Sequence, residues 1–200
     1  MQNKLAVILF MLAFGFCAKA QTSQGSVSLG GGFNFGASKD QNPGNDDKTT
    51  SFSFSPQVGY FVVDNFEVGL ALSLSTVNQK PGDGTDYKDS GFGIGPFARY
   101  YIFTSNEKFA FFGDARFGFN AYKHKPESGN DSKGSVAAFS VSPGFVFFPT
   151  KHWGVELSLS LLSITSQDPN KDGDNDKRTN VNFGFNSLST GVGVKYYITR

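Results

Sequence analysis

The densest group of metal-ligand side chains in this 200-residue chain is Asp168-Pro169-Asn170-Lys171-Asp172-Gly173-Asp174-Asn175-Asp176. Oxygen-bearing residues at alternate positions followed by glycine match the opening of an EF-hand-like calcium loop, with Asp168, Asn170, Asp172, Asp174 and Asp176 as candidate ligands. The twelfth position is Thr179 instead of the bidentate Glu, and Lys171 and Lys177 dilute the negative charge. A solvated, turn-rich loop explains the same Asp, Asn and Gly content through backbone preference alone. Calcium is therefore the one cofactor this sequence suggests.

The two histidines, His124 and His152, fall in a long polar stretch and a short turn, at opposite ends of the predicted strands. They cannot share a metal. A Ser–His acyl-transfer site would need a serine, a histidine and an acid converging on a rigid platform. His124 has Glu127 and Ser128 nearby, but on a Pro/Gly-rich segment. A solvated loop histidine is expected there, with no catalytic residue.

The remaining charges take their meaning from the strands that carry them. From Ser51 to Thr76, Phe52, Phe54, Pro56, Val58 and Tyr60 share one parity, and Ser51, Ser53, Ser55, Gln57 and Gly59 the other. After Val63-Asp64-Asn65, Phe66, Val68, Leu70, Leu72 and Leu74 alternate with Glu67, Gly69, Ala71, Ser73 and Ser75. Successive strand side chains point to opposite faces, so this is a hairpin with one apolar and one small, polar face. The unit recurs through GFGIGPFARYYIF, KFAFFGDARFGFNAY, SPGFVFF, WGVELSLSLLSIT and SLSTGVGVKYYITR, preceded by a first strand over 26–37. Phe183 and Phe185 have the opposite parity to Leu188, which predicts a bulge near Asn186 or a strand rising above the membrane. The result is eight strands joined alternately by three short turns and four long polar loops, the pattern of a transmembrane β-barrel.

Three features put the apolar face outside. The polar face is Ser, Gly and Ala, without the Lys, Glu and Thr of a solvated exterior. An eight-stranded interior is only just wide enough for modest side chains, whereas the apolar face is rich in Phe and Leu. Aromatic residues collect beside the short turns, as an interfacial girdle does: Tyr60, Phe61 and Phe66; Tyr100, Tyr101 and Phe109; Phe147, Phe148 and Trp153; Tyr196 and Tyr197. On the inward parity sit Glu67, Arg99, Asp114, Arg116, Glu156 and Lys195, three acids and three bases in the strand halves nearest the short turns. Two readings follow: a salt-bridged plug, because buried charge must be paired, or a selectivity ring in a narrow pore. Equal charge, with Phe97, Tyr101 and Phe112 at similar depth, favours the plug.

The first twenty residues, MQNKLAVILFMLAFGFCAKA, read as a secretory signal peptide with an Ala-Lys-Ala cleavage site, leaving 21–200 as one barrel domain. Phe16 is too large for a lipobox ahead of Cys17. Removing Lys4 and Lys19 changes 18 basic and 17 acidic residues to 16 and 17, net −1. That balance excludes an electrostatic nucleic-acid binder. The only cysteine leaves with the same segment, so the mature chain has no disulfide.

The strand ends GYF, ARYYI, GFVFF and VKYYI beside short turns resemble the small outer-membrane β-barrel superfamily, of the outer-membrane protein A, X and W type. More closely, they resemble the porin-family outer membrane protein beta-barrel domain. The terminal Gly191-Val-Gly193-Val-Lys-Tyr196-Tyr-Ile198 is similar to the β-signal read by the barrel-assembly machinery. The resemblance implies an all-β, eight-stranded, antiparallel up-and-down transmembrane barrel in the cell outer membrane, exported by its signal peptide. It implies outer-membrane lipid or lipopolysaccharide as surroundings, the assembly machinery as partner, no nucleic acid, and a monomer. The expected role is a non-enzymatic envelope platform presenting its loops. The alternatives are a narrow channel for small or apolar solutes, as the W-type likeness implies, and a lipid-modifying enzyme.

Overall fold

A computed structural model describes residues 20–42, 45–82, 86–126, 131–169, 177–184 and 191–199. The expected signal segment therefore lies outside the described residues, save Ala20. After a 3-10 turn at Ala20–Thr22 come ten strand segments: β1 Val27–Asn42, β2 Asn45–Val63, β3 Phe66–Lys80, β4 Tyr87–Phe103, β5 Phe109–Pro126, β6 Ser132–Phe147, β7 Trp153–Ser158, β8 Leu162–Asp168, β9 Arg178–Phe183 and β10 Gly191–Ile198. All neighbouring pairs are antiparallel.

The segments form eight barrel staves. β7 and β8 both pair with β6, and the amides of Leu159 and Leu161 hold the gap between them to the carbonyls of Pro143 and Val141. They are one interrupted strand. β9 follows β8 and β10 follows β7, making the eighth stave, and β10 closes the barrel by pairing Val27 with Ile198 through Gly32 with Gly193 on β1. Closure is the only arrangement of strands that leaves no unsatisfied backbone edge in lipid.

The faces are as the alternation predicts. Leu70, Leu72, Leu74, Phe92, Ile94, Phe117, Phe119, Val192 and Val194 are exposed on the outside, whereas Phe61, Tyr101, Phe112, Val146, Phe148 and Tyr197 are buried in the lumen. These inward residues form an aromatic core at the short-turn end. The N-terminal turn caps that end: the Thr22 hydroxyl donates to Asn65 Oδ1 at 2.6 Å, and the Gly25 amide to the Phe61 carbonyl at 2.9 Å. Asn65 itself turns the β2–β3 hairpin with a left-handed φ of 63°, a conformation Asn tolerates better than other side-chain-bearing residues.

Three expectations are corrected. Of the aromatics expected in the girdle, Phe61, Tyr101, Phe148 and Tyr197 are buried in the lumen, because each directly follows an outward-parity aromatic (Tyr60, Tyr100, Phe147 or Tyr196) and so points to the opposite face. The long loops are mostly strand: β1 and β2 stay paired up to Asn42 and Asn45, and β4 and β5 up to Tyr87 and Pro126. Polar sequence looked like loop, but a ladder begun in the membrane continues at little cost once its edges meet water. The expected single strand over 153–165 is interrupted at Leu159–Leu161, and its outward set switches from Val155 and Leu157 to Ile164. An odd separation between outward residues requires a bulge, which re-aims the following side chains. The bulge expected near Asn186 lies outside the described residues.

Candidate functional site

Cross-strand register assembles the inward charges. Glu67 on β3 faces Arg99 on β4, and Arg99 faces Asp114 on β5, so three adjacent strands place opposite charges in one row. Glu156 on β7 and Lys195 on β10 reach the row from the other wall. Lys195 Nζ donates to Glu67 Oε1 and Oε2 at 2.9 and 2.8 Å and lies 3.8 Å from Glu156. Arg99 Nη1 donates to Glu156 at 2.8 Å, and its Nη2 approaches Asp114 Oδ2 at 2.9 Å. The Ser28 hydroxyl also donates to Glu67, and the Tyr101 hydroxyl does so at 2.9 Å. Tyr197 donates to Glu156 at 3.4 Å.

Glu67, Arg99, Asp114, Glu156 and Lys195 are all buried. Isolated charges at such positions are prohibitive; a closed network in which each has a partner is not. Arg99 also lies 4.2 Å above the Phe112 ring, and Lys195 5.3 Å from that of Phe97, so the cations are faced by aromatic π-systems as well as carboxylates. Two glycines make the room. A Cβ on Gly59 would overlap the Glu67 carboxylate, and one on Gly30 the stem of Lys195.

Arg116 stands at the edge of this assembly. Its side chain is 30% exposed, its Nε lies 3.4 Å from Asp114, and its Nη2 donates to Gln57 at 3.0 Å. It borders a cavity of about 270 Å³ above the network, whose wall includes Asn34, Ser55, Ser140, Ser142 and Ser158. The lumen thus has an aromatic base, an ionic floor and a small hydroxyl-lined vestibule.

The other candidate residues are dispersed. Of the calcium-loop set only Asp168 is described, at the end of β8, where its Oδ1 is buried with no hydrogen-bond partner among the described residues. Asn170, Asp172, Asp174 and Asp176 lie outside the described residues. No cluster of three potential metal ligands occurs among the described residues. His124 is not on a loop but in β5, where its Nδ1 lies 2.5 Å from Asp89 Oδ1 and its ring stacks on Tyr87. Glu127 and Ser128 lie outside the described residues. His152 sits in the turn before β7, with Nδ1 3.1 Å from the Tyr197 carbonyl. Sequence reasoning missed Ser28, Tyr197 and Asp89 as partners. Ser28 and Tyr197 have inward parity, but their contacts cross from one wall of the barrel to another and no local pattern encodes them.

No curated protein matches the chain. Among solved structures it is similar to the N-terminal β-barrel domain of Pseudomonas aeruginosa OprF, at 14% identity, covering 88% of this chain and 98% of that one with a TM-score of 0.48. It is similar to the outer membrane protein OprG of the same organism at 15% identity, covering 90% and 99%, with a TM-score of 0.47. It is similar to Neisserial surface protein A at 16% identity, covering 86% and 97%, with a TM-score of 0.44. Residues 6–188 match the family model described as the outer membrane protein beta-barrel domain, and the chain with its closed antiparallel barrel, apolar coat and charged interior belongs to that outer-membrane family.

Proposed function

We propose that this protein is a sealed outer-membrane platform, a rigid barrel that presents its extended hairpins and loops to the outside for envelope structure or surface contact. The observation that carries this reading is the floor: five buried, mutually paired charges stacked on an aromatic core across the narrow lumen. An eight-stranded barrel has just enough interior for side chains to fill, and here they fill its short-turn half. The test is conductance in planar bilayers. Wild type and Arg116→Glu are expected to stay at background, while Glu67→Lys lowers folding stability without opening a current. A current in wild type that changes with charge reversal at Arg116 or Glu67 would overturn the platform reading.

One observation favours a second reading, a narrow route for small or apolar solutes. Beyond Gly32, β1 pairs with β2 alone among the described residues, and β9 pairs with β8 alone. The cavity above the floor is lined by Gly31, Gly32, Val192 and Gly193, where the described β1–β10 ladder ends. If solutes pass there, liposomes containing wild type take up small apolar molecules, and Gly193→Leu, which fills the cavity, reduces that uptake. Equal uptake by protein-free liposomes would remove this route.

A further inference from the structure

Above the ionic floor the lumen changes from filled to open. An eight-stranded interior is wide enough either to be packed by side chains or to hold one small ligand. The short-turn half takes the first course, with its aromatic core and paired charges. The other half does not. In the row of Arg116 the neighbouring inward residues are still Phe97 and Ser140. One row nearer the loops they are Ala71, Gly95, Gly118 and Ala138, and in the next row Ser73 and Gly93 come before Asn120. Side chains this small leave space between the walls. Two cavities, of about 270 and 200 Å³, lie there and share Ser55, Arg116 and Ser140 in their linings. A Cβ added at Gly118 would meet only Asn120 Nδ2, at 3.7 Å.

The groups around this space are hydrogen-bonding and, as a set, neutral. Glu67, Asp114 and Glu156 are matched by Arg99, Arg116 and Lys195, three charges of each sign. Arg116 is the least satisfied of the six. Its Nη2 donates to Gln57 Oε1 at 3.0 Å, its two contacts with Asp114 are long at 3.4 Å, and its Nη1 makes no hydrogen bond among the described residues. Around it, Asn34 comes from β1, Ser55 from β2, Ser140 and Ser142 from β6, and Ser158 from β7. Hydroxyls and side-chain amides both donate and accept. Such groups converging from several walls of a narrow space suit a molecule that carries donors and acceptors all round. An anion on Arg116 would compete with Asp114 and lie beside Glu156, and a cation would meet Arg116 itself. A neutral guest leaves every ion pair as it is.

We propose that this vestibule is a binding cup, entered from the loop end, for one small neutral polyhydroxylated molecule no larger than a single sugar ring, with Arg116 donating to a ligand hydroxyl. The size limit follows from the volume: about 270 Å³ lies just below the roughly 300–1,000 Å³ typical of ligand pockets. The small residues of the two rows above Arg116 provide the way in. Binding needs no passage through the floor, so the cup goes beyond the platform reading and stands apart from the question of conductance.

The test uses isotope-labelled protein refolded in a phosphocholine detergent, which has no sugar headgroup to compete for the cup. The readout is the backbone amide shifts of Asn120 and Ser140 as D-glucose is added, with gluconate as the charged counterpart. D-glucose is expected to move these amides along a saturating curve, and gluconate to bind several-fold more weakly. Gly118→Ile, which fills the cup from a position where a side chain meets little protein, is expected to abolish the shifts. Arg116→Gln is expected to weaken binding several-fold, and it serves as the deciding variant should Gly118→Ile not fold. Gly113→Ala, on the outer face, is expected to bind as wild type does. Shifts that are absent or never saturate with D-glucose overturn the proposal and leave a cup that holds water only. An unchanged binding curve in folded Gly118→Ile or Arg116→Gln also overturns it, as does tighter binding of gluconate, which would make Arg116 an anion site.

Discussion

Arg99 holds two carboxylates at once, Asp114 and Glu156, and is itself buried. Removing it leaves both acids short of a partner in the lumen, and breaking a buried ion pair in this way costs about 3–5 kcal/mol. Arg99→Ala is therefore expected to lower the urea midpoint of the folded barrel strongly. Arg116→Gln provides the contrast, because Asp114 keeps Arg99 and the Arg116 side chain is 30% exposed; its cost is expected to stay below about 1 kcal/mol. Similar losses for the two variants would mean that the floor is not the closed network described here. At Gly59 the added methyl of alanine meets the Glu67 carboxylate, and overpacking of this kind costs about 1–3 kcal/mol. Gly59→Ala is expected to be destabilising in the same urea titration, and more so than Gly113→Ala, where a Cβ meets nothing within 4 Å.

The strands set which residues face lipid, and the depth of each outward position makes that quantitative. Leu72 lies mid-belt on β3, and Thr76 lies one outward position above its last leucine, Leu74. An arginine on the lipid face costs about 2–4 kcal/mol at the bilayer midplane and about 0–1 near the interface. Leu72→Arg is expected to destabilise the refolded barrel in lipid by the larger amount and Thr76→Arg by the smaller, read from unfolding in phosphatidylcholine vesicles. Equal effects would mean that the belt is misplaced. Alternation made these faces legible in the sequence, and it placed Glu67, Arg99, Asp114, Arg116, Glu156 and Lys195 in one compartment before any coordinate. Who pairs with whom was not legible. Register fixes Glu67 opposite Arg99, but Lys195 meets Glu67 only because the sheet closes on itself. The interruption of the seventh stave had a local sign, the Leu161-Leu162 doublet that breaks the Leu–Ser alternation. The paired arms above the membrane had none, because Lys, Asp and Asn in a ladder and in a loop look alike when water solvates both.

The molecule as a whole is inverted relative to a water-soluble domain. Its interior holds Glu67, Arg99, Asp114, Glu156 and Lys195, while Phe35 is 70% exposed, Phe183 76% and Ile102 60%. An apolar coat continuous over a closed wall far exceeds the patches soluble monomers expose, so burial against lipid or detergent must be part of its stability. With the only cysteine in the first twenty residues, no disulfide supports the rest of the chain. Closure by the β1–β10 ladder, the polar floor and the surrounding amphiphile are what remain to hold the barrel together. Chain 21–200 is therefore expected to refold only with detergent or lipid present, to give β-rich circular dichroism, and to migrate differently on gels before and after boiling. Arg99→Ala should lose the unboiled band at a lower temperature while reaching the same boiled position, because the floor stabilises the closed barrel without defining its strands. A protein that remained folded and monomeric without detergent, with no boiling shift, would place the apolar face inward and dissolve the membrane assignment together with the ionic floor.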